Sequence, residues 1–193
     1  IIADVPVSFG GYEPENFDEK FNGPVTVEFA LANSLNVPAV RIASELNPSA
    51  MIHKLIEADF TQVKKDKNDL GLSLVLGGCG VSLEELSGLF CSFANQGVYN
   101  PLIMVENQAG TSPDTRILTE GAAYIITEIL TLLRRPDLPG NWSDSKNLPR
   151  ISWKTGTSYG RKDAWSIGYN NNYTIAVWVG NFSGEGVPEL SGA

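Results

Sequence analysis

Histidine occurs once in these 193 residues, cysteine twice and methionine twice, and basic residues are outnumbered, 14 against 22 acidic ones. Each shortage removes a class of chemistry. The lone histidine, His53, cannot build a histidine-rich metal centre, and Cys79 and Cys91 do not have zinc-ligand spacing, so neither a metal nor a cofactor is expected. A Ser-His-Asp mechanism would have to use His53, which sits in the helix-like run Ala50-Met51-Ile52-His53-Lys54-Leu55-Ile56 without a companion motif and is expected on a helix surface. The net charge of −8 disfavours a polyanionic partner, so nucleic acid is not expected. Two cysteines are too few to define a redox compartment, and no disulfide is expected. No run of 18 apolar residues occurs, and Ile1-Ile2-Ala3-Asp4 lacks the charged and apolar regions of a signal peptide. The chain as it stands is therefore expected neither to span a membrane nor to target itself.

What is present is an ordinary globular composition, 42% apolar, enough for the core of one domain or a little more. The opening stretch, with Pro6, Gly10-Gly11, Pro14, Asn16 and Gly23-Pro24, is rich in turn formers and is expected to be an irregular arm. Thr26 can cap a helix through Val27, Ala30 and Leu31, with Glu28 in its first turn. Pro38 suits the first turn of a second helix and pushes Val37 away from helical angles. Ser34-Leu35-Asn36-Val37 should then be a tight corner between two helices, where serine and asparagine serve equally well as plain turn residues. Pro48 starts a third helix reaching about Asp59-Phe60, and 61–69 is expected to be a polar connector. Gly77-Gly78-Cys79-Gly80 lacks the lysine of a phosphate loop and is taken as a turn.

Ser82 with Glu85 three later forms a capping box for a helix ending near Gly97, with Leu86, Leu89, Phe90 and Phe93 as its inner face. A loop or short hairpin should follow around Ile103-Met104-Val105. Tyr124, Ile125, Ile129, Leu132 and Leu133 argue for a long helix from Thr119 to Arg135, stopped by Pro136. After a polar loop to Arg150, the runs Ile151 to Ser158, Asp163 to Tyr169 and Tyr173 to Asn181 alternate like strands, joined by short turns, and predict an antiparallel meander. Thr174 to Gly180 is apolar at both parities, which predicts cover on both sides. Helices first and a small sheet last give an α+β class, with 1–150 mainly helical, 151–182 in strands and 183–193 a terminal loop.

One stretch reads as chemistry. In Lys154-Thr155-Gly156-Thr157-Ser158, period-2 alternation puts Lys154 and Gly156 on one face and Thr155 and Thr157 on the other. A glycine inside a strand weakens it and often marks a close approach by a ligand or another backbone. Taken alone, the triplet is equally an exposed edge strand with a solubilising lysine.

Lys154-Thr155-Gly156 and the earlier Ser34-Leu35-Asn36 are two of the three elements, in the same chain order, that active-serine penicillin-interacting enzymes use. With Asn33 to Val40, Leu76-Gly77-Gly78 and Ser158 to Trp165 added, the chain resembles the transpeptidase domain of class A penicillin-binding proteins over nearly its whole length. The resemblance implies the penicillin-binding, serine β-lactamase-like fold. It also implies a catalytic set of Ser34, Asn36 and Lys154, with Thr155, Gly156, Thr157 and Ser158 binding substrate. Ser34 would relay a proton, Asn36 would orient the substrate amide, and Lys154 would polarise the hydroxyl network and attract the substrate carboxylate. The hydroxyls of Thr155 and Thr157 would meet that carboxylate, and the Thr157 N–H would serve an oxyanion hole. The implied substrate is the D-Ala-D-Ala end of a peptidoglycan stem peptide. Implied partners are β-lactam antibiotics and an upstream glycosyltransferase domain, and the implied location is the outer, periplasmic side of a bacterial inner membrane.

One family element is missing. No serine before Ser34 is followed three residues later by a lysine, and Ser143-Asp144-Ser145-Lys146 lies in the wrong order and in a polar loop. The chain is therefore expected to be a fragment, truncated at both ends, without its nucleophile and inactive alone. An exposed sheet edge at Tyr173 to Asn181 would then invite pairing with a second copy. Two alternatives stay open: a non-catalytic homologue that binds wall peptide or a partner protein, and a D,D-carboxypeptidase or β-lactamase on the same scaffold.

Overall fold

The computed structural model describes residues 1–105, 114–133 and 149–192, gathered into two compact units, Ile1–Val81 and Ser82–Ala193.

The first unit starts where an irregular arm was expected, and the arm is instead built on a buried charge. Strands β1 (Ile2–Asp4) and β2 (Gly23–Val25) pair antiparallel, and the turn-rich chain between them folds around Asp4, which has no exposed surface. A buried carboxylate must be met by donors. Asp4 accepts from the Asn16 amide at 2.8 and 3.0 Å and from the backbone and side chain of Asn22 at 2.9 and 2.8 Å. Composition shows turn formers, but not that two asparagines among them share one carboxylate.

Helix α1 (Val27–Ala32) starts as expected, with the Thr26 hydroxyl accepting from the Phe29 N–H at 3.0 Å. Helix α2 spans Asn36–Leu46, so Asn36 and Val37 are already helical and the corner is shorter than expected. Pro38 did not keep Val37 out of the helix, because burial of Val37, Pro38 and Val40 outweighs the steric preference before proline. Helix α3 (Pro48–Glu57) carries His53 on its exposed side. The stretch expected as a connector contains helix α4 (Thr61–Asp66), anchored by Phe60 and Val63, which are almost completely buried. A short 3-10 helix, Leu72–Leu76, ends at Gly77 in a left-handed conformation, φ 90°, and the Gly78 N–H returns to the Ser73 carbonyl at 2.9 Å. That is the expected turn.

In the second unit, helix α5 (Leu83–Ala94) carries the full capping box between Ser82 and Glu85. Its closest packing is made by small residues: Gly88 and Ser92 are buried, while Leu86, Leu89, Phe90 and Phe93 are only half-buried. A β-carbon on Gly88 would lie 3.0 Å from the Tyr99 ring, so glycine is what lets that ring sit down. Strands β3 (Val98–Tyr99) and β4 (Thr115–Arg116) pair into a short ribbon. Helix α6 spans Glu120–Leu130, shorter than the long helix expected. Tyr124, Ile125 and Leu132 are exposed, whereas Ala123, Ile129, Leu130 and Leu133 are buried. The expected stop signals Arg134 to Pro136, and Ser143 to Lys146, lie outside the described residues.

The meander is as expected. Strands β5 (Ser152–Thr157), β6 (Asp163–Tyr169) and β7 (Thr174–Gly180) form one antiparallel sheet in the order β5-β6-β7. The β6–β7 turn is closed by the Asn170 side chain, which accepts from the N–H groups of Asn172 and Tyr173 at 2.8 and 2.9 Å. Helix α5 packs on β6 and β7, and α6 on β5. Between them Tyr169 is almost wholly buried, its ring 6.0 Å from Phe90 and 6.1 Å from Phe93, its hydroxyl 3.0 Å from that of Thr127. Cover on both sides of β7 is not found: Ile175, Val177 and Val179 are 67%, 49% and 54% exposed. Only the face of β7 opposite these three looks toward α5, so its apolar residues at both parities do not mean two covered faces.

Candidate active site

Strand β5 lies at an edge of the sheet and carries Lys154 to Thr157. Its register sets Lys154 opposite Ile167 and Gly156 opposite Trp165, on the face that also carries Ser152, Ile167 and Tyr169, all nearly fully buried. Lys154 therefore points its stem to the apolar side. Burial of the ammonium lowers its pKa from the usual 10.5 to about 8, and Nζ donates to the Thr155 carbonyl at 2.7 Å. A lysine so poised carries charge at neutral pH yet releases its proton far more readily than a solvated one.

Thr155, opposite Ser166, and Thr157, opposite Ala164, take the other face, as the alternation requires. The Thr157 hydroxyl accepts from the Gly192 N–H at 3.1 Å, because the chain after β7 folds back over this end of the sheet. Val187 donates to the Arg161 carbonyl at 3.0 Å, and the Arg161 guanidinium donates to the Pro188 carbonyl. Ser158 closes the β5–β6 connection: its N–H donates to the Asp163 carbonyl and its hydroxyl accepts from the Asp163 N–H, both at 2.9 Å. Gly156 is the exposed member of the strand.

Ser34 and Asn36 belong to the first unit. Helix α1 ends in a Schellman arrangement: the Leu35 N–H donates to the Ala30 carbonyl at 2.9 Å and the Ser34 N–H to the Leu31 carbonyl at 3.1 Å. That motif needs a left-handed residue, usually glycine, and here Ser34 fills it with φ 55°. A side chain is thus retained where the backbone prefers none, a kind of strain that gathers at functional sites. Asn36 is the first residue of α2, and its side-chain amide donates to the Glu15 carbonyl at 2.8 Å. The N-cap residue Leu35 has no side-chain oxygen to offer. The acceptor comes instead from Asn16, whose Oδ1 takes the N–H groups of Asn36 at 2.9 Å and Val37 at 3.3 Å. Among the described residues, no group of three or more His, Cys, Asp or Glu side chains gathers to hold a metal.

No family model matches the chain. Penicillin-binding protein 1C of Escherichia coli is 38% identical over 192 residues, covering 95% of this chain and 23% of that protein. The chain belongs with the penicillin-binding proteins. Penicillin-binding protein 1F of Bacillus subtilis is 29% identical over 200 residues, 93% of this chain and 26% of its own length, so the chain spans about a quarter of the curated relatives it matches. Two solved structures share the fold. Penicillin-binding protein 1A of Haemophilus influenzae superposes with a TM-score of 0.77 at 18% identity, over 98% of this chain and 36% of that one. The PonA1 protein of Mycobacterium tuberculosis in complex with penicillin V gives 0.72 at 20% identity, over 95% and 55%. The α+β class and the penicillin-binding fold expected from sequence are those of this chain.

Sequence motifs single out Ser34, Asn36 and Lys154 to Ser158 as candidates in this family member, but carry no sign of the residues that hold them. Asn16 stood in a stretch of turn formers, and nothing in its spacing tied it to Asn36 twenty residues on. Asp4 had one available signal: an acidic residue inside the apolar start Ile1-Ile2-Ala3-Asp4-Val5 must find donors if that strand is buried. Gly192 carried none.

Proposed function

We propose that this chain is part of a peptidoglycan D,D-transpeptidase that cross-links stem peptides through a serine acyl-enzyme and is acylated by β-lactams. The observation that carries the proposal is the 38% identity to penicillin-binding protein 1C over 95% of this chain, a chain that holds Ser34-Leu35-Asn36 and Lys154-Thr155-Gly156 in that order. The buried setting of Lys154 and the left-handed backbone of Ser34 each suit the role the proposal gives that residue. A lysine whose pKa is drawn down to about 8 sits near the working pH of a proton-relaying group, where acid-base efficiency peaks. The edge position of β5 leaves backbone groups for an extended peptide, with Gly156 allowing close approach. The Thr157 N–H is assigned to the oxyanion hole, and the hydroxyls of Thr155 and Thr157 to the substrate carboxylate.

The nucleophilic serine is assigned to a segment other than the 193 residues here, since no S-x-x-K precedes Ser34. The intact parent would carry it, together with a glycosyltransferase domain, on the outer side of the bacterial inner membrane. A relative in fold, from Burkholderia ambifaria, is itself described as a peptidoglycan glycosyltransferase. The test is covalent labelling with fluorescent penicillin. The parent should label and lose labelling with Lys154→Met, while the 193-residue chain alone should not label. A covalent adduct on the isolated chain would overturn the assignment of the nucleophile, and an unlabelled parent would overturn the transpeptidase assignment.

A further inference from the structure

The geometry points to Asn16 as the positioning residue of the Ser34–Asn36 corner, a buried amide that transmits the fixed charge of Asp4 to the start of helix α2. The inference rests on the transpeptidase reading of that corner. Asn16 is 4% exposed and Asp4 not at all, and every polar group of the Asn16 side chain is engaged. Nδ2 donates to both Asp4 oxygens and to the Lys20 carbonyl at 2.7 Å, while Oδ1 accepts from Asn36 and Val37.

The direction of the amide is determined, not arbitrary. An ionised carboxylate only accepts, so the NH2 end must face Asp4 and the oxygen must face the helix. Burial by itself raises the Asp4 pKa, but the bonds from Asn22 and Asn16 prevail and hold it below the ordinary carboxylate value. The same arm grips Asn36 a second time, through its side-chain N–H on the Glu15 carbonyl. Backbone and side chain of Asn36 are thus both fixed from residues 15 and 16. A substrate-orienting amide needs such support, because an error of about 1 Å in a positioning group can cost on the order of 100-fold in rate.

The experiment uses the full-length parent and fluorescent penicillin, with second-order acylation rates and melting temperatures for Asn16→Ala, Asn16→Asp, Asp4→Asn and the exchange Asp4→Asn/Asn16→Asp. Asn16→Asp sets two carboxylates against each other, and Asp4→Asn leaves the Asn16 NH2 without its anion. The exchange restores one donor facing one acceptor and keeps an oxygen on the Asn36 and Val37 N–H groups, while the Lys20 carbonyl loses its donor. Expected are an acylation rate at least tenfold lower in each single variant and a partial recovery in the exchange, at least threefold above Asn16→Asp. A folded Asn16→Ala protein that acylates at the wild-type rate overturns the inference. Should the single variants melt below the assay temperature, the exchange decides: one that folds and still acylates as slowly as Asn16→Asp also overturns it. A wild-type parent that is never acylated fails earlier, on the transpeptidase assignment itself.

Discussion

Replacing Lys154 by methionine should make the protein more stable at neutral pH and remove a pH dependence that wild type carries. Burial lowers the Lys154 pKa from 10.5 to about 8. At pH 7 the folded state must therefore hold an ammonium that it solvates less well than the unfolded chain does. A drop of that size corresponds to roughly 3 kcal/mol of destabilisation at about 1.4 kcal/mol per pKa unit, an upper figure because the bond to the Thr155 carbonyl favours the charged form. Because the folded state binds fewer protons than the unfolded state between pH 8 and 10.5, wild-type stability contributed by this group rises across that window. Below pH 8 the penalty is fully present, and above 10.5 it is gone. Methionine keeps the unbranched stem and has no proton to lose. Urea denaturation of both proteins from pH 7 to pH 10.5 gives the difference in unfolding free energy directly, and other titrating groups cancel in the subtraction. The variant should lead by a few kcal/mol at pH 7 and the gap should close toward pH 10.5. A gap that is absent at pH 7, or constant across the range, would refute burial as the cause of the shift.

Ser34→Gly should raise the melting temperature while abolishing penicillin labelling of the parent. The left-handed backbone at φ 55° costs a non-glycine residue about 1 kcal/mol, which glycine's extra chain entropy only partly cancels, and the hydroxyl is lost. A lower melting temperature, or undiminished labelling, would contradict a corner strained for the sake of its side chain. Ser82→Ala removes one half of the capping box of α5 and should cost about 1 kcal/mol, a fall of roughly 2–4 °C, with Ser82→Thr close to wild type in a calorimetric scan. Equal melting temperatures for all three proteins would show that α5 is held by packing alone.

Local chemistry was legible in the sequence, and burial was not. Caps announced themselves: Thr26, Ser82 with Glu85, and the break at Gly77 stand where residue types require. The three strands of the meander followed from alternation and turns, with register fixed by short connections. The failures share one cause, since side-chain polarity does not report what will cover it. The lysine-rich 61–66 stretch is helical because Phe60 and Val63 bury, and β7 leaves three aliphatic residues in solvent. The candidate motifs stand out in the sequence because chemistry restricts residue type. Their supports, Asp4 and Asn16, do not, because any chain path that brings a donor to a carboxylate would serve.

Two of the contacts that Asn16 makes, to Asp4 and to Asn36, close loops of only 12 and 20 residues. On the logarithmic scale of loop closure, the longer costs about 0.5 kcal/mol more than the shorter. Strand, amide bracket and helix start thus form one short-range frame, so the left-handed serine corner is held at small loop-closure cost by chain close to it in sequence, while α2 takes further cover from the 3-10 turn Leu72–Leu76.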